Sequence, residues 1–492
     1  MDRSISRQRT RAHTSEATDY ISRLPDVILV YILSFLPLKD CIKISALSKR
    51  WKYLWTKTSR LNINEIEIIA KLVRSNFYCT ICEDIWTSST TCCQKHLLKV
   101  ARSMFADVVD RTLLLHSGCT LDKFQLSFLY DVYDGLTEKV DIWVRYAWAS
   151  NIKDMELSFF NPGLLEYFDE RVPVRVGVDL NLLYELPHNC LVSKILSSLN
   201  MNCCKLRASA LKVFPSLRRI FLKQVVILDS SVRVLASKFP LLEDLSLENC
   251  VISIQFFVCD EDLMIKRLYV TNCKPNEIPT FEINISTPRL VLLVLHGVYV
   301  KLTSMRKVTQ LVDVTIDIRC LLVSKEQAGL TSLLSGLRHS QNLTLTSWCI
   351  QGNFFRNGGP DISDCDPEHY FQSECLPFPC LENSLEKITV NGFAGRKNEM
   401  NVVRFLLRNA RVLEEISIFY EDAEEYYRGA MGLWRQNGLT SGKYLTSTLG
   451  QTKDIKQVYY RTSSENPAHG GASASNRDVP SSREIETGLR LE

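Results

Sequence analysis

Cysteine and histidine side chains cluster in the segment FYCTICEDIWTSSTTCCQKH, where they could bind a metal ion. Cys79 and Cys82 form a C-x-x-C pair, and after nine further residues Cys92, Cys93 and His96 follow. Thiolates at this spacing, with a Cys/His pair, can supply the four tetrahedral ligands of zinc. The second half has no clean C-x-x-C, however, and no glycine turns the chain between the pairs. The sequence therefore favours a cysteine-rich helical insertion, and we predict no bound metal.

A second group of reactive side chains, Cys365, His369 and Cys375, lies in the loop sequence CDPEHYFQSEC. These residue types would suit a metal site or a Cys/His nucleophile, but the sequence offers no orienting partner and no oxyanion feature. No phosphate-binding glycine motif occurs either. We predict no catalytic residue and no cofactor, so the chain is not an enzyme. A metal-dependent enzyme would require stoichiometric zinc that disappears when Cys79 and Cys82 are replaced.

Composition and charge limit the class of protein. The chain has 492 residues, of which 46% are apolar and 23% charged, as in ordinary globular proteins. A net charge of +4 is too small to indicate nucleic-acid binding. The sequence opens without the apolar region of a secretory signal, and its longest apolar run, Val27 to Leu33, is far shorter than the roughly 20 residues that cross a bilayer. We expect a soluble cytoplasmic or nuclear protein with reduced cysteines, and no nucleic-acid or membrane partner.

One spacing of apolar residues recurs from about residue 121: apolar, two of any kind, apolar, any, apolar. Central copies begin 25, 23, 25 and 21 residues apart, within the period of roughly 20–29 for leucine-rich repeats. The alternating part suits a short strand with one buried face, and stacked units bury their apolar faces together. The spacing predicts a solenoid, with an irregular α/β domain as the alternative. The copies are Leu121-Phe124-Leu126, Ile152-Met155-Leu157, Leu217-Ile220-Leu222, Leu242-Leu245-Leu247, Ile265-Leu268-Val270, Leu290-Leu293-Leu295, Leu311-Val314-Ile316, Leu385-Ile388-Val390 and Leu413-Ile416-Ile418.

Two repeats carry a cysteine at the same place. LLEDLSLENC ends at Cys250, and IKRLYVTNC ends at Cys273. Cys or Asn at this position of a leucine-rich repeat is packed or hydrogen-bonded where the chain turns inward. The two cysteines therefore support the repeat assignment.

Apolar side chains are concentrated near the N-terminus, in DYISRLPDVILVYILSFLPLKDCIKISALSKRWKYLW. Pro25 and Asp26 suit the start of a helix. The following segment VILVYILSFL is apolar at nine of ten positions, and Pro37 ends it. A second helical region is expected to place its apolar residues on one face and lysines on the other. The apolar set is Ile44, Leu47, Trp51, Leu54 and Trp55, and the basic set is Lys39, Lys43, Lys49 and Lys52.

These side chains need a covering surface. Each large apolar group left in water forgoes about 1.5–3 kcal/mol. A unit of about forty residues has too little interior to bury them all. Either the following domain or another protein must therefore cover the remainder.

The N-terminal segment resembles an F-box. Leu24-Pro25 and Val27-Ile28 match the opening of that motif, ILSFLP matches its middle, and SALSKRWKYLW matches its close in many plant members. The resemblance implies docking to a Skp1-like adaptor and, through it, to a cullin-based ubiquitin ligase. The basic side chains would attract the acidic adaptor. Packing of these helices wholly on the chain's own repeats remains the alternative. The resemblance assigns adaptor binding to Leu24, Pro25, Val27, Ile28, Ile32, Leu33, Leu36, Pro37, Leu47, Trp51, Leu54 and Trp55.

The C-terminal part resembles the FBD domain of plant F-box proteins with leucine-rich repeats. The match runs from Cys380 to Tyr420, with strand SLEKITV, a linker containing Gly392 and Gly395, a helix from Glu399 to Asn409 and strand VLEEISI. Such a strand, helix and strand could extend and cap the solenoid.

The expected fold class is α+β: an N-terminal helical F-box, an α/β leucine-rich-repeat solenoid and an FBD-like C-terminal cap. The resemblance implies a non-catalytic, substrate-recognition subunit of an SCF-type ligase whose repeat and FBD regions bind a target protein. A non-degradative scaffold with a vestigial F-box is the alternative, and adaptor binding that is lost in Leu24→Ala with Pro25→Ala would separate the two. The predicted divisions are a disordered N-terminus (1–18), F-box (19–60), helical cysteine-rich connector (61–115), leucine-rich repeats (116–350), loop (351–375), FBD-like domain (376–455) and disordered tail (456–492).

Overall fold

A computed structural model describes the F-box segment, most of the repeat region and the C-terminal strand-helix-strand unit. In the part that it describes, no helix is both long and apolar enough to span a bilayer. The predictions for residues 1–18 and for the loop 351–375 lie outside the described residues. The predicted disordered tail (456–492) is wrong for residues Gln457–Thr462, which form a strand paired with Glu415–Tyr420, and its residues 463–492 lie outside the described ranges. The described residues are 20–21, 23–65, 90–116, 121–160, 180–187, 193–207, 213–228, 238–252, 255–259, 263–275, 281–298, 300–305, 307–318, 336–346, 378–393, 397–420 and 457–462.

The described helices lie in the F-box segment, in the connector, at the start of the repeats and in the FBD-like region. The prediction of one second helical region in the F-box segment is wrong, because α2 ends at Ile44 and a separate 3-10 helix begins at Trp51. The Ser45 hydroxyl bonds the carbonyl of Ile42, and such local serine bonds compete with helix propagation. The α-helices are α1 Asp26–Leu33, α2 Leu38–Ile44, α3 Thr90–Leu115, α4 Thr137–Ala149, α5 Pro379–Asn383 and α6 Lys397–Asn409, and the 3-10 helices are Trp51–Lys57, Val132–Asp134 and Leu180–Leu182.

The described strands lie between residues 60 and 462. The first ten are β1 Arg60–Asn64, β2 Lys123–Leu129, β3 Asp154–Phe160, β4 Tyr184–Glu185, β5 Ser198–Asn202, β6 Cys204–Leu206, β7 Arg219–Lys223, β8 Val226–Ile227, β9 Asp244–Glu248 and β10 Val251–Ile252. The others are β11 Gln255–Cys259, β12 Arg267–Thr271, β13 Lys274–Pro275, β14 Phe281–Ser286, β15 Leu292–Val298, β16 Val300–Met305, β17 Asp313–Ile318, β18 Asn342–Thr346, β19 Lys387–Phe393, β20 Glu415–Tyr420 and β21 Gln457–Thr462.

A parallel main sheet organises the described chain. Its 13 strands lie in the order β1-β2-β3-β5-β7-β9-β12-β15-β17-β18-β19-β20-β21, so each strand pairs with the previous and next repeat along the sequence. Short strands between them form a five-stranded sheet, β13-β10-β8-β6-β4, and a three-stranded sheet, β11-β14-β16. Sequential parallel pairing of this kind is the arrangement of a solenoid. The predicted α+β fold class is confirmed.

The recurring apolar spacing marks the strands of this sheet. Every residue of the nine predicted copies is buried, with at most 4% of its surface exposed. In β9, for example, Leu245 and Leu247 are fully buried, while Asp244, Ser246 and Glu248 on the alternate positions are only partly buried. One face of each strand therefore enters the core, and the other face stays open.

The FBD-like segment continues the same architecture. β19 pairs with β18, β20 pairs with β19, and α6 connects β19 to β20. The predicted helix from Glu399 to Asn409 is confirmed, with its first residue at Lys397. The segment therefore extends the main sheet rather than forming a separate layer.

The two predicted repeat cysteines lie where the chain leaves β9 and β12. Cys250 and Cys273 are fully buried, and their thiols donate to the carbonyls of Leu222 and Leu247 at 3.3 and 3.5 Å. Burial raises the pKa of the Cys273 thiol well above its usual range. The Cys273 thiol therefore stays protonated, and both thiols bind the backbone of the preceding repeat.

The chain makes the same left-handed turn just before these positions. Gln224, Asn249 and Asn272 have φ angles of 53°, 52° and 52°. Each donates its backbone N–H to a carbonyl of the next repeat, at 2.8, 2.8 and 2.7 Å. At the corresponding position in the next repeat, Gly297 has a φ of 61° and donates to the carboxylate of Asp317 at 3.1 Å. A repeated backbone turn thus links successive repeats.

Replacement of Gly297 should be costly for two separate reasons. A Cβ at this position would lie 1.9 Å from Oδ1 of Asn272, and the positive φ disfavours any L side chain. We expect Gly297→Ala to lower the free energy of unfolding by about 2–5 kcal/mol, measured by urea denaturation. Gly135 is the matched control, because its φ is 69° but nothing lies within 4 Å of an added Cβ. Gly135→Ala should cost only about 1–2 kcal/mol, and equal losses would contradict the steric explanation.

Candidate functional site

Helix α1 buries one side and leaves the other sides open. Leu29 and Leu33, one turn apart, are 0% and 1% exposed and pack into the continuous apolar core that extends through the repeats. Val27, Tyr31 and Phe35, also one turn apart, are 77%, 63% and 55% exposed. A helix that is apolar on all sides can bury only one face against its own domain. The rest of α1 is therefore left for another surface to cover.

The open side of α1 forms a patch that we call the apolar N-terminal patch, consisting of Val27, Ile28, Tyr31, Ile32 and Phe35. Ile28 and Ile32 are 44% and 42% exposed, so all five side chains are accessible. The rings of Tyr31 and Phe35 meet edge to face, with centroids 5.0 Å apart. This contact orders the two aromatic rings at the surface.

The twelve predicted adaptor-binding residues divide into three groups by burial. The buried residues of this set are covered by the chain's own core, so they can affect adaptor binding only by holding the exposed residues in position. The assignment of all twelve to adaptor binding stays a prediction. Pro25, Val27, Ile28, Ile32 and Leu47 are exposed, Leu24, Leu36 and Pro37 are half-buried, and Leu33, Trp51, Leu54 and Trp55 are buried.

Sequence reasoning missed several accessible apolar side chains in the same segment. Tyr31 and Phe35 belong to the patch, while Ile42 and Tyr53 are 40% and 56% exposed elsewhere in the F-box segment. A sequence signal for two of them did exist. Tyr31 and Phe35 follow Val27 at intervals of four residues, which places all three on one helix face.

Polar contacts fix the beginning of α1 to the turn before the 3-10 helix. The guanidinium of Arg50 forms an ion pair with the carboxylate of Asp26 at 2.6 Å and also donates to the carbonyl of Leu24. The Cys41 thiol of α2 donates to the carbonyl of Leu33 at 3.3 Å. Burial raises the pKa of Cys41 to about 11, so this donor stays protonated at neutral pH. These contacts therefore hold α1, which carries most of the patch, against α2 and the turn before the 3-10 helix.

Three of the four predicted basic side chains are exposed near these helices. Lys43, Lys49 and Lys52 are exposed, and Lys39 is half-buried. Lys43 forms an ion pair with Asp40 at 2.6 Å. This ion pair lowers the pKa of Asp40, the hydrogen bond from Lys43 being the main cause. The F-box segment therefore combines apolar surface with positive charge.

A buried histidine joins the F-box segment to the repeats. His116, at the end of α3, lies with Nε2 2.7 Å from the carbonyl of Thr58 and Nδ1 3.1 Å from the hydroxyl of Tyr146. A carbonyl only accepts, so Nε2 carries the proton of the neutral ring. Burial lowers the pKa of His116. The neutral imidazole therefore connects the 3-10 helix, α3 and α4.

This depressed pKa predicts a pH dependence of stability. The folded state holds His116 neutral, so its contribution is complete above the ordinary pKa near 6.5 and is lost as the pH falls toward the lower folded pKa. We expect a fall from pH 7.5 to 5.5 to lower the free energy of unfolding of the unmodified chain relative to that of His116→Gln. Urea denaturation at the two pH values measures both slopes.

Another buried group, Glu65, changes stability with pH in the opposite direction to His116, and the comparison must remove its effect. Burial raises the pKa of Glu65, so its contribution is present at low pH and falls as the pH rises. Both proteins contain Glu65, and the difference between their slopes therefore reports His116 alone. Identical slopes in the two proteins would show that the histidine is not held neutral by the fold.

No group of three or more metal-binding side chains that could hold an ion occurs within the described ranges. Cys79 and Cys82 lie outside these ranges, as do Cys365, His369 and Cys375, while Cys92, Cys93 and His96 belong to α3. The predicted absence of a metal and of a cofactor stays a prediction.

Comparison with known proteins places three domains along the chain. The F-box domain family matches residues 21–62, the family described as "At1g61320/AtMIF1, LRR domain" matches residues 112–353, and the FBD family matches residues 372–418. The matched ranges include the apolar patch, most of the repeats and the strand-helix-strand unit of β19, α6 and most of β20.

Similar proteins occur in Arabidopsis thaliana. A putative F-box/LRR-repeat protein is 30% identical over 232 residues, covering 47% of this chain and 43% of the relative. An F-box/FBD/LRR-repeat protein is 29% identical over 234 residues, covering 47% and 44%. A putative F-box protein is 23% identical over 476 residues, covering 83% and 93%. The chain thus spans less than half the length of the first two. The chain thus has an F-box, leucine-rich repeats and an FBD segment in this order, and the proteins it is similar to include F-box/LRR-repeat and F-box/FBD/LRR-repeat proteins of this plant.

Proposed function

We propose that the chain is the substrate-recognition subunit of an SCF-type ubiquitin ligase, acting in the cytoplasm, the nucleus or both. Its F-box would bind a Skp1-like adaptor and, through it, a cullin. Its repeat and FBD regions would bind a target protein. The domain order of the family supports this division of labour, because F-box domains in general bind Skp1-type adaptors.

The exposed patch on α1 is the observation that carries the proposal. Its five apolar side chains are 42–77% exposed, four of them on α1 and the fifth, Phe35, two residues after its end. Covering each of them would contribute about 1.5–3 kcal/mol. Exposed contiguous apolar surface next to polar residues is typical of a protein interaction site. The nearby lysines would increase the rate of association with an acidic adaptor.

The chain would contribute to catalysis by proximity rather than by chemistry. A bound target held next to the ubiquitin-charged enzyme raises the effective concentration of its lysines. The continuous core between α1 and β20 supports such positioning, because the F-box segment and the repeats share one set of packed side chains. No catalytic residue of this chain is required, and the bond-forming steps belong to its partners.

Reconstitution with purified components tests the proposal. The full chain is mixed with a Skp1-type adaptor and a cullin, and the complex is separated by size-exclusion chromatography. We expect one chain to co-elute with one adaptor and to recruit the cullin only when the adaptor is present. A chain that elutes alone would instead support the non-degradative scaffold with a vestigial F-box.

A further inference from the structure

The open face of the main sheet contains a depression of about 480 Å³ that spans the first half of the solenoid. We define the open face as the alternate strand residues that point away from the core. The depression crosses six consecutive strands of the main sheet, β2, β3, β5, β7, β9 and β12. Its lining residues are Lys123, Asp154, Met155, Glu156, Ser198, Asn200, Arg219, Ile220, Phe221, Asp244, Ser246, Arg267 and Tyr269.

All charged side chains that line the depression are paired with one another. Lys123 and Arg267 each contact a carboxylate on an adjacent strand, and Arg219 of β7 reaches across β5 to Asp154 of β3. Three cations and three carboxylates leave no net charge. A highly charged ligand such as a nucleic acid would need a cluster of unpaired cations. The pairs are Lys123–Glu156 at 3.0 Å, Arg219–Asp154 at 3.9 Å and Arg267–Asp244 at 2.6 Å.

The centre of the depression is uncharged and contains two aromatic side chains. Asn200, Phe221, Ser246 and Tyr269 are direct neighbours in register on β5, β7, β9 and β12. Phe221 is 36% exposed, although it lies on a sheet face with many polar neighbours. Adjacent strands lie about 4.8 Å apart, so the two aromatic positions are about 10 Å apart with the small Ser246 between them. We call this feature the Ser246 notch.

The notch has room for one side chain, and the depression continues from it across the neighbouring strands. A drug-sized ligand is normally enclosed over 70–90% of its surface, whereas this depression extends across six strands. A polypeptide segment that runs across the strands can place one side chain in the notch and continue over the neighbouring repeats. Aromatic residues in such a position are the usual energetic anchors of a protein interface.

We propose that the depression binds an uncharged, extended segment of the target protein that inserts an aromatic or aliphatic side chain between Phe221 and Tyr269. The side-chain amide of Asn200 lies beside Phe221 and can bond the peptide backbone of that segment. This proposal rests on the proposed function and names the class of target segment that the repeat region takes.

Selection from a phage-displayed library of random 12-residue peptides, carried out on the full-length chain, tests the proposal. The key variant is Ser246→Trp, which fills the notch. The matched control is Thr344→Trp, which lies in the same row three strands beyond Tyr269 and outside the depression. We expect selected peptides to share an aromatic or aliphatic residue and to carry little net charge. They should bind Ser246→Trp at least about tenfold more weakly, and Thr344→Trp as they bind the unmodified chain.

A second variant protects the test against a folding defect. If Ser246→Trp melts at a lower temperature than Thr344→Trp, then Phe221→Ala with Tyr269→Ala takes its place, and the same loss of peptide binding is expected. Peptides that bind all variants equally, peptides with a strongly charged consensus, or the absence of any enriched peptide would overturn the proposal. Adaptor binding is measured on the same proteins and should be unchanged. A chain that binds peptides at the notch but no adaptor would contradict the proposed function and leave the notch intact.

Discussion

Val27→Glu combined with Tyr31→Glu is expected to abolish binding of a Skp1-type adaptor while leaving the fold unchanged. Both side chains are more than 60% exposed, so neither contributes much to the chain's own core. Burial of two such groups in an interface would contribute about 3–6 kcal/mol, which corresponds to a loss of at least about a hundredfold in affinity. Two added carboxylates would also repel an acidic adaptor. Isothermal titration calorimetry on the full chain measures the affinity.

The chain offers a closely matched control for this experiment. Tyr133 and Ile142 are 77% and 61% exposed, compared with 77% and 63% for Val27 and Tyr31. They lie outside the F-box segment, in the 3-10 helix after β2 and in α4. Tyr133→Glu with Ile142→Glu makes the same change in charge and apolar exposure and should bind the adaptor normally. Equal affinities for the two double variants would refute the assignment of the patch.

Trp143→Ala should be among the most destabilising single substitutions in the repeat region. Trp143 of α4 is fully buried, and its ring packs edge to face against Phe105 of α3 and Phe128 of β2, with centroids 6.3 and 6.0 Å away. Its Nε1 donates to the carboxylate of Asp110 at 2.7 Å. Removal of a buried tryptophan side chain typically costs about 3–5 kcal/mol. Urea denaturation of the full chain measures this loss.

A second substitution at the same position separates packing from hydrogen bonding. Trp143→Phe keeps an aromatic ring but removes the donor to Asp110. That carboxylate retains its ion pair with Lys139 at 2.8 Å, so the loss should be smaller, about 1–3 kcal/mol. A loss below about 1 kcal/mol for Trp143→Ala would mean that α3 does not pack on the first repeats.

Burial explains why the repeat strands could be predicted from the sequence. Each strand must hide two alternating side chains, and Leu268 and Val270 of β12 are fully buried as that requirement predicts. Four strands of the main sheet, β1, β5, β18 and β21, escaped prediction, and β21 lies within the segment that the sequence predicts as a disordered tail. Ser340, fully buried, occupies the first apolar position before β18, and this polar residue interrupts the spacing. The copy at Leu196 fits the spacing, but its strand SLNMN contains two Asn residues, a type that is depleted in strands.

The candidate site was less predictable because helix burial depends on tertiary packing. The motif match named Leu33 and Val27 together, yet the first is 1% and the second 77% exposed. Which face of a uniformly apolar helix turns inward is decided by the 3-10 helix that packs on it, and local sequence contains no sign of it. The spacing of Val27, Tyr31 and Phe35 would have revealed a common face, but not whether that face is open.

Hydrogen exchange of the full chain, with and without a Skp1-type adaptor, tests the central claim most directly. The claim is that another protein covers the exposed apolar face of α1. We predict that the adaptor slows exchange of the backbone amides from Asp26 to Leu36 and leaves those of β9 and β12 unchanged. Unchanged exchange from Asp26 to Leu36 at saturating adaptor would contradict the claim.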